Sequence, residues 1–494
     1  MAHVEFVEQT LRDGQQSLWG LRMRAYQAGP ALPAIDSTGF RVVDLTGAGI
    51  FQVLVRQYRD NPWEHLDYLI QNLPNSRKRS SIRTITAIGF GFTPDSILDL
   101  FVQTLVKHGI ETFWMFDCLF DIPVMRRMAS VVVDAGARVT PTIMYGLTDV
   151  HTDEFFAGCA REMASWEGVE TIEIEDAPGV LTPERAATLL PALRAAAPDA
   201  LLELHCHNTT GLAPLVYLEG LNHGIHILHT VAASMANGPS LPSTEKMLED
   251  LRVLGHTHSL DESKLEPVSE HFRRAAEEAG GEAAGFSLGT PYEFSLLPYR
   301  HQLPGGMTGT LRNQLAQHGM TERLDDVLEE TILVREDLGQ PIMATPFSQF
   351  VGIQAVLNVV TGERYKLVPD EVIQYTLGHY GPLMRPVDGD VADRILSQPR
   401  AEHFRTWERP QPTLKAIRAQ FGSRISDEEL LLRYMVSEDE AKGVFSGGSL
   451  KTDPRTGARS IVAAVKELVD ERRSLARVRV STPRFELELR RNTN

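Results

Sequence analysis

Cysteine is scarce in this chain of 494 residues, which contains only Cys118, Cys159 and Cys206. So small and odd a number cannot form a disulfide framework in a chain of this length, and we expect reduced thiols. The sequence also lacks any uncharged apolar run of about 18 residues or more, which excludes a transmembrane helix. Its first residues, MAHVEFVEQTLRDG, carry charge early and lack the apolar core of a signal peptide. We therefore expect a cytoplasmic protein.

Positive charge is in short supply. Lysine and arginine together number 49, aspartate and glutamate 65, and the net charge is -16. A field of this sign repels the phosphates of nucleic acid and the surface of an anionic membrane, so neither is an expected partner. The content of hydrophobic residues, 43%, is that of a water-soluble globular chain. The length exceeds what one hydrophobic core usually serves and predicts a large domain with a smaller one.

Short β-rich runs alternate with amphipathic segments through the first half of the chain. The runs lie at 4–10, 40–46, 81–89, 112–117, 138–145, 169–176, 201–207 and 227–234. Helical patterns lie between them, for example at 95–108 and at 183–196, where Thr182 and Pro183 suit an N-cap and a first turn. Eight strand–helix units in about 250 residues predict a closed TIM (β/α)8 barrel. The rival fold, an open doubly wound sheet, needs a glycine-rich phosphate turn after its first strand, where this chain has LRDGQQS.

The pattern changes after residue 300. Helical segments without β runs follow at 322–338, 346–361, 369–379 and 412–438. The segment 446–460 combines glycine, serine and proline with charge, which predicts a linker. Residues 461–494 show one helical pattern and then the alternating run RVRVSTPRFELELRR, which predicts one or two strands. We therefore expect a catalytic barrel over 1–300, a mostly helical domain over 301–445, and a linker and tail over 446–494.

Two histidines flank a cysteine in LHCHNTTG, at the end of the seventh predicted strand. Side chains alternate along a strand, so His205 and His207 face one side and Cys206 the other. In a barrel this end of the strand lies at the mouth, where active sites occur. Asp13 follows the first strand at the same rim, so the carboxylate and the imidazoles can converge on a divalent Zn, Mn or Co ion, with Mg as a further option. Two structural histidines remain the alternative.

Seven segments, in order, resemble the signature segments of one known family. They are TLRDGQQS, DLTGAGIFQVLVRQYRDNPWEHL, FWMFDCLFD, IEIEDAPGVLTPE, LELHCHNTTGLA, ANGPSLPSTE and YRHQLPGGMTGTL. The family is that of the biotin-dependent carboxyltransferases: the carboxyltransferase domain of pyruvate carboxylase, the oxaloacetate decarboxylase alpha subunit and the transcarboxylase 5S subunit. The resemblance runs from about residue 4 to about residue 440. It implies a TIM barrel with a helical extension over its mouth, a metal site that binds pyruvate or oxaloacetate, and, by analogy, a homodimer.

The resemblance assigns roles to particular residues. It makes Asp13, His205 and His207 the metal ligands, in agreement with the argument from the strands. It places Gln16 in a hydrogen bond with the substrate. Arg83 falls on the residue that holds the keto or enolate oxygen; its alternative role is a salt bridge at the base of the barrel. Asp117 matches an aspartate at the rim; its alternative role is a helix N-cap.

Three positions depart from the family pattern. Glu175 stands where the family has a carbamylated lysine that binds the metal; glutamate is already an anion but is shorter by roughly 3–4 Å, so it reaches a metal only if the metal shifts or through water. Pro239 stands where the family has a threonine that relays a proton between biotin and pyruvate, and proline has no donor; Ser240 is adjacent but points differently. Met307 stands where a glutamine is typical.

These observations leave three functions open. The first is a metal-dependent enzyme that forms or breaks a C–C bond at C3 of a 2-oxo acid through an enolate, without biotin. The second is a carboxyltransferase subunit whose biotin arrives on a separate carrier chain, because no EAMKM-like attachment segment is present. The third is a binding or scaffold protein that has lost its chemistry. Pro239 and the missing attachment segment favour the first function.

Overall fold

The N-terminal part of the chain folds into a closed barrel of eight parallel strands. The computed structural model describes residues 1–88, 91–305, 307, 311–312, 315–316, 319–422, 424–448 and 450–452, and the backbone of 477–482 and 485–490. The barrel strands are β1 (His3–Glu8), β2 (Val42–Thr46), β3 (Lys78–Arg83), β4 (Thr112–Phe116), β5 (Arg138–Met144), β6 (Thr171–Asp176), β7 (Leu201–Cys206) and β8 (Ile227–Thr230). Strand β1 pairs in parallel with both β2 and β8, which closes the sheet. The TIM barrel predicted from the eight runs is confirmed.

Helices surround the barrel on its outer side. The α-helices of this part are Gln15–Trp19, Ala25–Ala28, Leu32–Thr38, Ala48–Val53, Pro62–Gln71, Asp95–Lys107, Ile122–Asp134, Asp153–Ala164, Pro183–Ala196, Ala213–Asn222, Thr244–Leu254 and Leu265–Glu278. Thr182 caps one of them as predicted, because its Oγ1 accepts a hydrogen bond from the Arg185 N–H. A short ninth strand, β9 (Thr257–His258), pairs with the start of β1.

The third strand lies earlier in the chain than the run at 81–89 predicts. It comprises Lys78–Arg83, so Arg83 is its last residue and lies at the mouth of the barrel. The alternative role of Arg83, a salt bridge at the base, is therefore wrong. The prediction failed because the strand is polar, KRSSIR, whereas the apolar alternation that usually marks a strand continues only after it.

The C-terminal part is helical and packs over the mouth. Its α-helices are Leu297–His301, Leu324–Asp337, Phe347–Thr361, Asp370–Thr376, Gly389–Leu396, Ala401–Arg405, Leu414–Phe421, Asp427–Met435 and Glu438–Ser446. The segment predicted as helical over 412–438 is interrupted, because Ser426 caps a new helix after Gly422 ends the previous one. Cys118, which follows β4, donates a hydrogen bond to the Thr345 carbonyl, and the Gln302 amide group exchanges hydrogen bonds with the Leu147 backbone after β5. The helical part therefore covers the end of the barrel where β4 and β5 finish.

Two strands form a hairpin near the C-terminus. Strands β10 (Arg477–Thr482) and β11 (Phe485–Arg490) pair antiparallel, which agrees with the alternating run in the predicted tail. The helical pattern predicted between the linker and this hairpin lies outside the described residues. Among the helices that the structure describes, none is long and apolar enough to cross a membrane.

Candidate metal centre and substrate pocket

Three buried ligands meet at the mouth of the barrel. A turn of π-helix over Thr10–Gly14 follows β1 directly and carries Asp13. His205 lies near the end of β7 and His207 just beyond it, two residues apart, so both face the barrel axis. All three side chains are buried. One ligand atom from each residue lies within 4.8 Å of the others, which is close enough for one metal ion to contact all three.

The hydrogen bonds of the cluster leave metal-binding nitrogens available. The Asp13 Oδ1 atom lies 3.5 Å from His207 Nε2, and Asp13 Oδ2 lies 3.7 Å from His205 Nε2. His207 Nδ1 is 2.6 Å from the Pro239 carbonyl, which only accepts, so Nδ1 carries the proton and Nε2 keeps its lone pair. His205 Nε2 is buried without a hydrogen-bond partner. A buried, unsatisfied nitrogen beside a carboxylate suits a cation.

The electrostatics of the cluster favour the ligand forms of its side chains. Burial, reinforced by the neighbouring His229 and Arg12, holds the pKa of His205 well below its ordinary value, so this imidazole is neutral. Burial alone would raise the pKa of Asp13, but the Arg12 guanidinium, 2.8 Å away, and His207 together lower it, so this carboxylate is ionised. Neutral imidazole and ionised carboxylate are the forms that bind a divalent transition-metal ion.

Glu175 lies on the strand beside the cluster but is not one of its members. It pairs with His205 across β6 and β7, and its side chain is buried with no hydrogen-bond partner for Oε2. Burial raises the pKa of Glu175 to about 8, Arg12 opposes the shift, and Asp13 adds to it. The carboxyl group therefore lies within electrostatic range of the ligands. Among the described residues, the three-residue group forms without it.

Arg83 lines a cavity, partly open to solvent, between the barrel mouth and the helical part. The cavity is also lined by Thr84, Ile85, Thr86, Phe116, Asp117, Cys118, Thr345, Pro346, Phe347 and Tyr380. Desolvation lowers the pKa of Arg83 to about 10, which leaves the guanidinium charged at neutral pH. The Cys118 thiol lies within electrostatic range of both Arg83 and Glu175, so cavity and cluster occupy neighbouring sectors of one rim. A fixed cation in such a cavity suits a small anionic substrate.

Asp117 accepts hydrogen bonds from residues of two loops beside this cavity. Its Oδ2 atom accepts a hydrogen bond from Thr84 Oγ1 at 2.5 Å, and its Oδ1 atom accepts one from the Leu119 N–H at 2.9 Å. The N-cap of the helix that follows is Asp121, so the alternative role of Asp117 as that cap is wrong. Burial raises the pKa of Asp117, and these hydrogen bonds partly oppose the shift.

The structure places the remaining predicted residues around the rim. Gln16 is exposed in the short helix that follows Asp13. Pro239 contributes its carbonyl to His207 and is packed closely on Gly305, where an added Cβ would come within 2.4 Å of the Pro239 Cα. Ser240 is fully buried, and its hydroxyl has no hydrogen-bond partner. Met307 is buried, and its methyl group lies close to Gly352 of the helical part.

Below the metal ligands lies a set of buried charged residues that the sequence analysis missed. Arg79 lies 2.8 Å from Glu203, 3.4 Å from Glu173 and 3.6 Å from Asp44, and all four side chains are buried. The signal was present in the strands TIEIED and LLELHC, where ionisable residues occupy every second position. Such alternation places charge on the inner face of the barrel, where an ordinary core would have apolar residues.

A ligand cluster and an arginine-lined cavity at the carboxyl ends of barrel strands define a TIM-barrel enzyme site. Family models described as "HMGL-like" and "Conserved carboxylase domain" match residues 119–271 and 299–445. A pyruvate carboxylase subunit of Methanocaldococcus jannaschii is 32% identical over 395 residues, covering 80% of this chain and 69% of that protein. The methylmalonyl-CoA carboxyltransferase 5S subunit of Propionibacterium freudenreichii subsp. shermanii is 31% identical over 388 residues, covering 78% and 75%.

Solved structures agree on the fold. The carboxyl transferase domain of Rhizobium etli pyruvate carboxylase, determined with pyruvate, superimposes with a TM-score of 0.80 at 21% identity, covering 90% of this chain and 77% of that one. The chain belongs to the carboxyltransferase family of the biotin-dependent carboxylases, as the resemblance of its sequence segments predicted. It is therefore an enzyme, and the prediction of a scaffold protein without chemistry is not supported.

Proposed function

We propose that this chain forms or breaks a C–C bond at C3 of a pyruvate- or oxaloacetate-like 2-oxo acid, through an enolate and without a requirement for biotin. The observation that carries the proposal is the cluster of Asp13, His205 and His207, with an unsatisfied buried nitrogen on His205, beside the cavity that Arg83 lines. In decarboxylation of oxaloacetate, the bond from C3 to the distal carboxyl breaks, carbon dioxide leaves, and the electron pair remains as an enolate that takes a proton from water.

Different residues bind the metal ion, hold the substrate oxygen and position the loops of the site. Asp13, His205 and His207 would hold a divalent ion, which supplies a Lewis acid for a substrate oxygen. Arg83 holds the keto oxygen and then the enolate oxygen with a fixed, planar cation. Asp117 positions the loop after β4 through Thr84 and the Leu119 N–H. Gln16, exposed at the rim, is free to hydrogen-bond the carboxylate of an incoming acid.

A second candidate is carboxyl transfer to or from biotin on a separate carrier chain. Family membership favours it, and so does Ser240, whose buried hydroxyl has no hydrogen-bond partner and could relay a proton. Against it stands Pro239, which has no side-chain donor and whose carbonyl is already engaged by His207. For the assembly we propose a homodimer, supported by the exposed apolar side chains of Tyr292, Phe294, Leu296 and Leu297.

The test of biotin use is an oxaloacetate decarboxylation assay of the metal-loaded chain with and without free biotin. We expect the same rate in both, because a proton taken from water needs no relay to biotin. Pro239→Thr should not impair the rate severely, since the hydrogen bond to His207 comes from the backbone and survives the substitution. A clear stimulation of the wild type by biotin or by a biotinylated carrier would favour the second candidate. In that case Ser240→Ala should remove most of the stimulation, since acid–base relays contribute about 100- to 10,000-fold.

Because Glu175 stands where the family has a carbamylated lysine, we expect that bicarbonate does not activate this enzyme. A carbamylated lysine must be kept loaded with carbon dioxide, whereas a glutamate side chain needs no such modification. We expect the initial rate in carbon-dioxide-depleted buffer to equal the rate in buffer with bicarbonate. The matched variant Glu175→Lys should lose metal in depleted buffer and regain part of it with bicarbonate. Activation of the wild-type chain by bicarbonate would contradict this prediction.

A further inference from the structure

We propose that Glu203 and His229, held by Arg79 and Gln9, are positioning residues that fix the tautomer of His205 and so keep its Nε2 lone pair facing Asp13. This inference rests on the proposed metal site, but it concerns residues below that site to which neither the sequence pattern nor the comparisons give a role. The four side chains form a continuous chain of contacts along the inside of the barrel. Each of them is 2% exposed or less.

The chain of contacts begins at an ion pair. Arg79 Nη1 donates to Glu203 Oε2 at 2.8 Å, and the same Glu203 oxygen lies 2.8 Å from His229 Nε2. A carboxylate held against a guanidinium accepts hydrogen bonds and donates none. Arg79 Nη2 also lies near His229 Nε2, at 3.5 Å, but the contact with the Glu203 carboxylate is much shorter and decides the role of this nitrogen. His229 Nε2 therefore carries a proton and donates it to Glu203.

Gln9 identifies the other nitrogen of His229 as an acceptor. The Gln9 amide nitrogen lies 3.2 Å from Asp44 Oδ2 and 3.1 Å from His229 Nδ1. Asp44 lies against the Arg12 and Arg79 guanidinium groups, so it accepts, and this fixes which end of the Gln9 amide is the nitrogen. An amide nitrogen only donates, so the His229 Nδ1 atom that faces it keeps a lone pair.

The last contact, between His229 and His205, fixes the tautomer of the metal ligand His205. His205 Nδ1 lies 2.9 Å from His229 Nδ1. The single lone pair of His229 Nδ1 is shared by two donors, the Gln9 amide and His205 Nδ1. Because His205 Nδ1 carries the proton, the neutral His205 ring has its lone pair on Nε2. That atom lies 3.7 Å from Asp13 Oδ2 and has no hydrogen-bond partner of its own. The opposite tautomer would place a proton where a metal must bind.

A second metal site does not account for these contacts. Glu173, His205 and His229 also bring ligand atoms within 4.8 Å of one another. The Glu173 carboxylate, however, already lies 3.4 Å from Arg79 Nη2, and the Gln9 amide donates into the same space at His229 Nδ1. Donors and a guanidinium surround that position, and a second cation there would be repelled.

The experiment measures binding of Co²⁺ to the metal-free chain, by titration and by the visible absorption of the bound ion. His229→Leu removes the contacts of this ring with Glu203, Gln9 and His205 at similar volume, and we expect it to weaken binding about 10- to 100-fold. His229→Gln keeps an amide donor for Glu203 and an acceptor beside it, and its affinity should lie between those of His229→Leu and the wild type. The matched control is His226→Asn, just before β8 on the same segment, which should bind as the wild type does.

A measurement on the unaltered protein covers the case in which His229→Leu fails to fold. In metal-free wild type with 15N-labelled histidine rings, the signals of His205, assigned by their loss in His205→Ala, should show a protonated Nδ1 and a bare Nε2. Equal Co²⁺ affinity of wild type and a folded His229→Leu, or a protonated His205 Nε2, would overturn the inference. A different result would show that the proposed metal site itself is wrong: Co²⁺ would then bind His205→Ala/His207→Ala as well as it binds the wild type.

Discussion

Replacement of both His205 and His207 by alanine is expected to abolish metal binding. The purified wild type should carry about one tightly bound divalent ion per chain, since one Asp and two His ligands with open positions are typical of catalytic sites. Without the imidazoles, Asp13 retains only its contacts with Arg12 and Ser17, and a single carboxylate does not hold such an ion. Elemental analysis of metal content after extensive dialysis checks this, and turnover should fall with the metal.

The control must lose two histidines without touching the barrel interior. His223→Ala/His226→Ala serves, because these residues lie before β8 and outside the ligand cluster. It should keep its metal, and both proteins should unfold cooperatively in the metal-free state. Full metal content in the His205→Ala/His207→Ala variant would show that the ion binds elsewhere and that the argument from the barrel mouth is wrong.

Arg83→Lys is expected to reduce turnover about 100- to 1000-fold, the usual cost of losing a donor to a developing oxyanion. Lysine keeps the positive charge but loses the planar fork of donors that can hold two oxygens of a keto acid at once. The position is set by the end of β3 and by a hydrogen bond from Arg83 Nη2 to the Ala87 carbonyl. Steady-state kinetics with oxaloacetate check the rate, and thermal unfolding should show little change.

The matched control for this variant is Arg77→Lys. Arg77 directly precedes β3 at the opposite end of the barrel, where it pairs with Glu170 at the surface. Because exposed ion pairs contribute little, the control should retain the wild-type rate and nearly the wild-type stability. Near-normal turnover in Arg83→Lys would assign Arg83 a structural role and would remove the main support for an enolate held by arginine.

Most of the fold follows from local patterns in the sequence. Seven of the predicted strands overlap closely with observed ones, because short runs rich in apolar, β-branched or aromatic residues mark them in the sequence. The exception is β3. Because its sequence is polar, the prediction puts this strand too late in the chain, with Arg83 near its start, whereas Arg83 is its last residue. The interrupted helix shows a related limit, since the break depends on Gly422 at the end of one helix and on Ser426 as the N-cap of the next, within an otherwise continuous helical pattern.

The sequence by itself determined the parallel barrel, the family, and the residue types of the candidate metal site, because alternation along one strand is a local property that places His205 and His207 on one face. Only the tertiary structure decided which groups surround them. Closing the barrel brings Asp13 and Gln9, which both follow β1, close to Arg79 of β3, Glu203 of β7 and His229 of β8. Gln9 and His229 lie 220 positions apart in the sequence, and Arg79 and Glu203 lie 124 apart, so no local period records these contacts. Each donor buried in the barrel needs an acceptor, and that requirement, rather than any motif, determines the tautomers at the site.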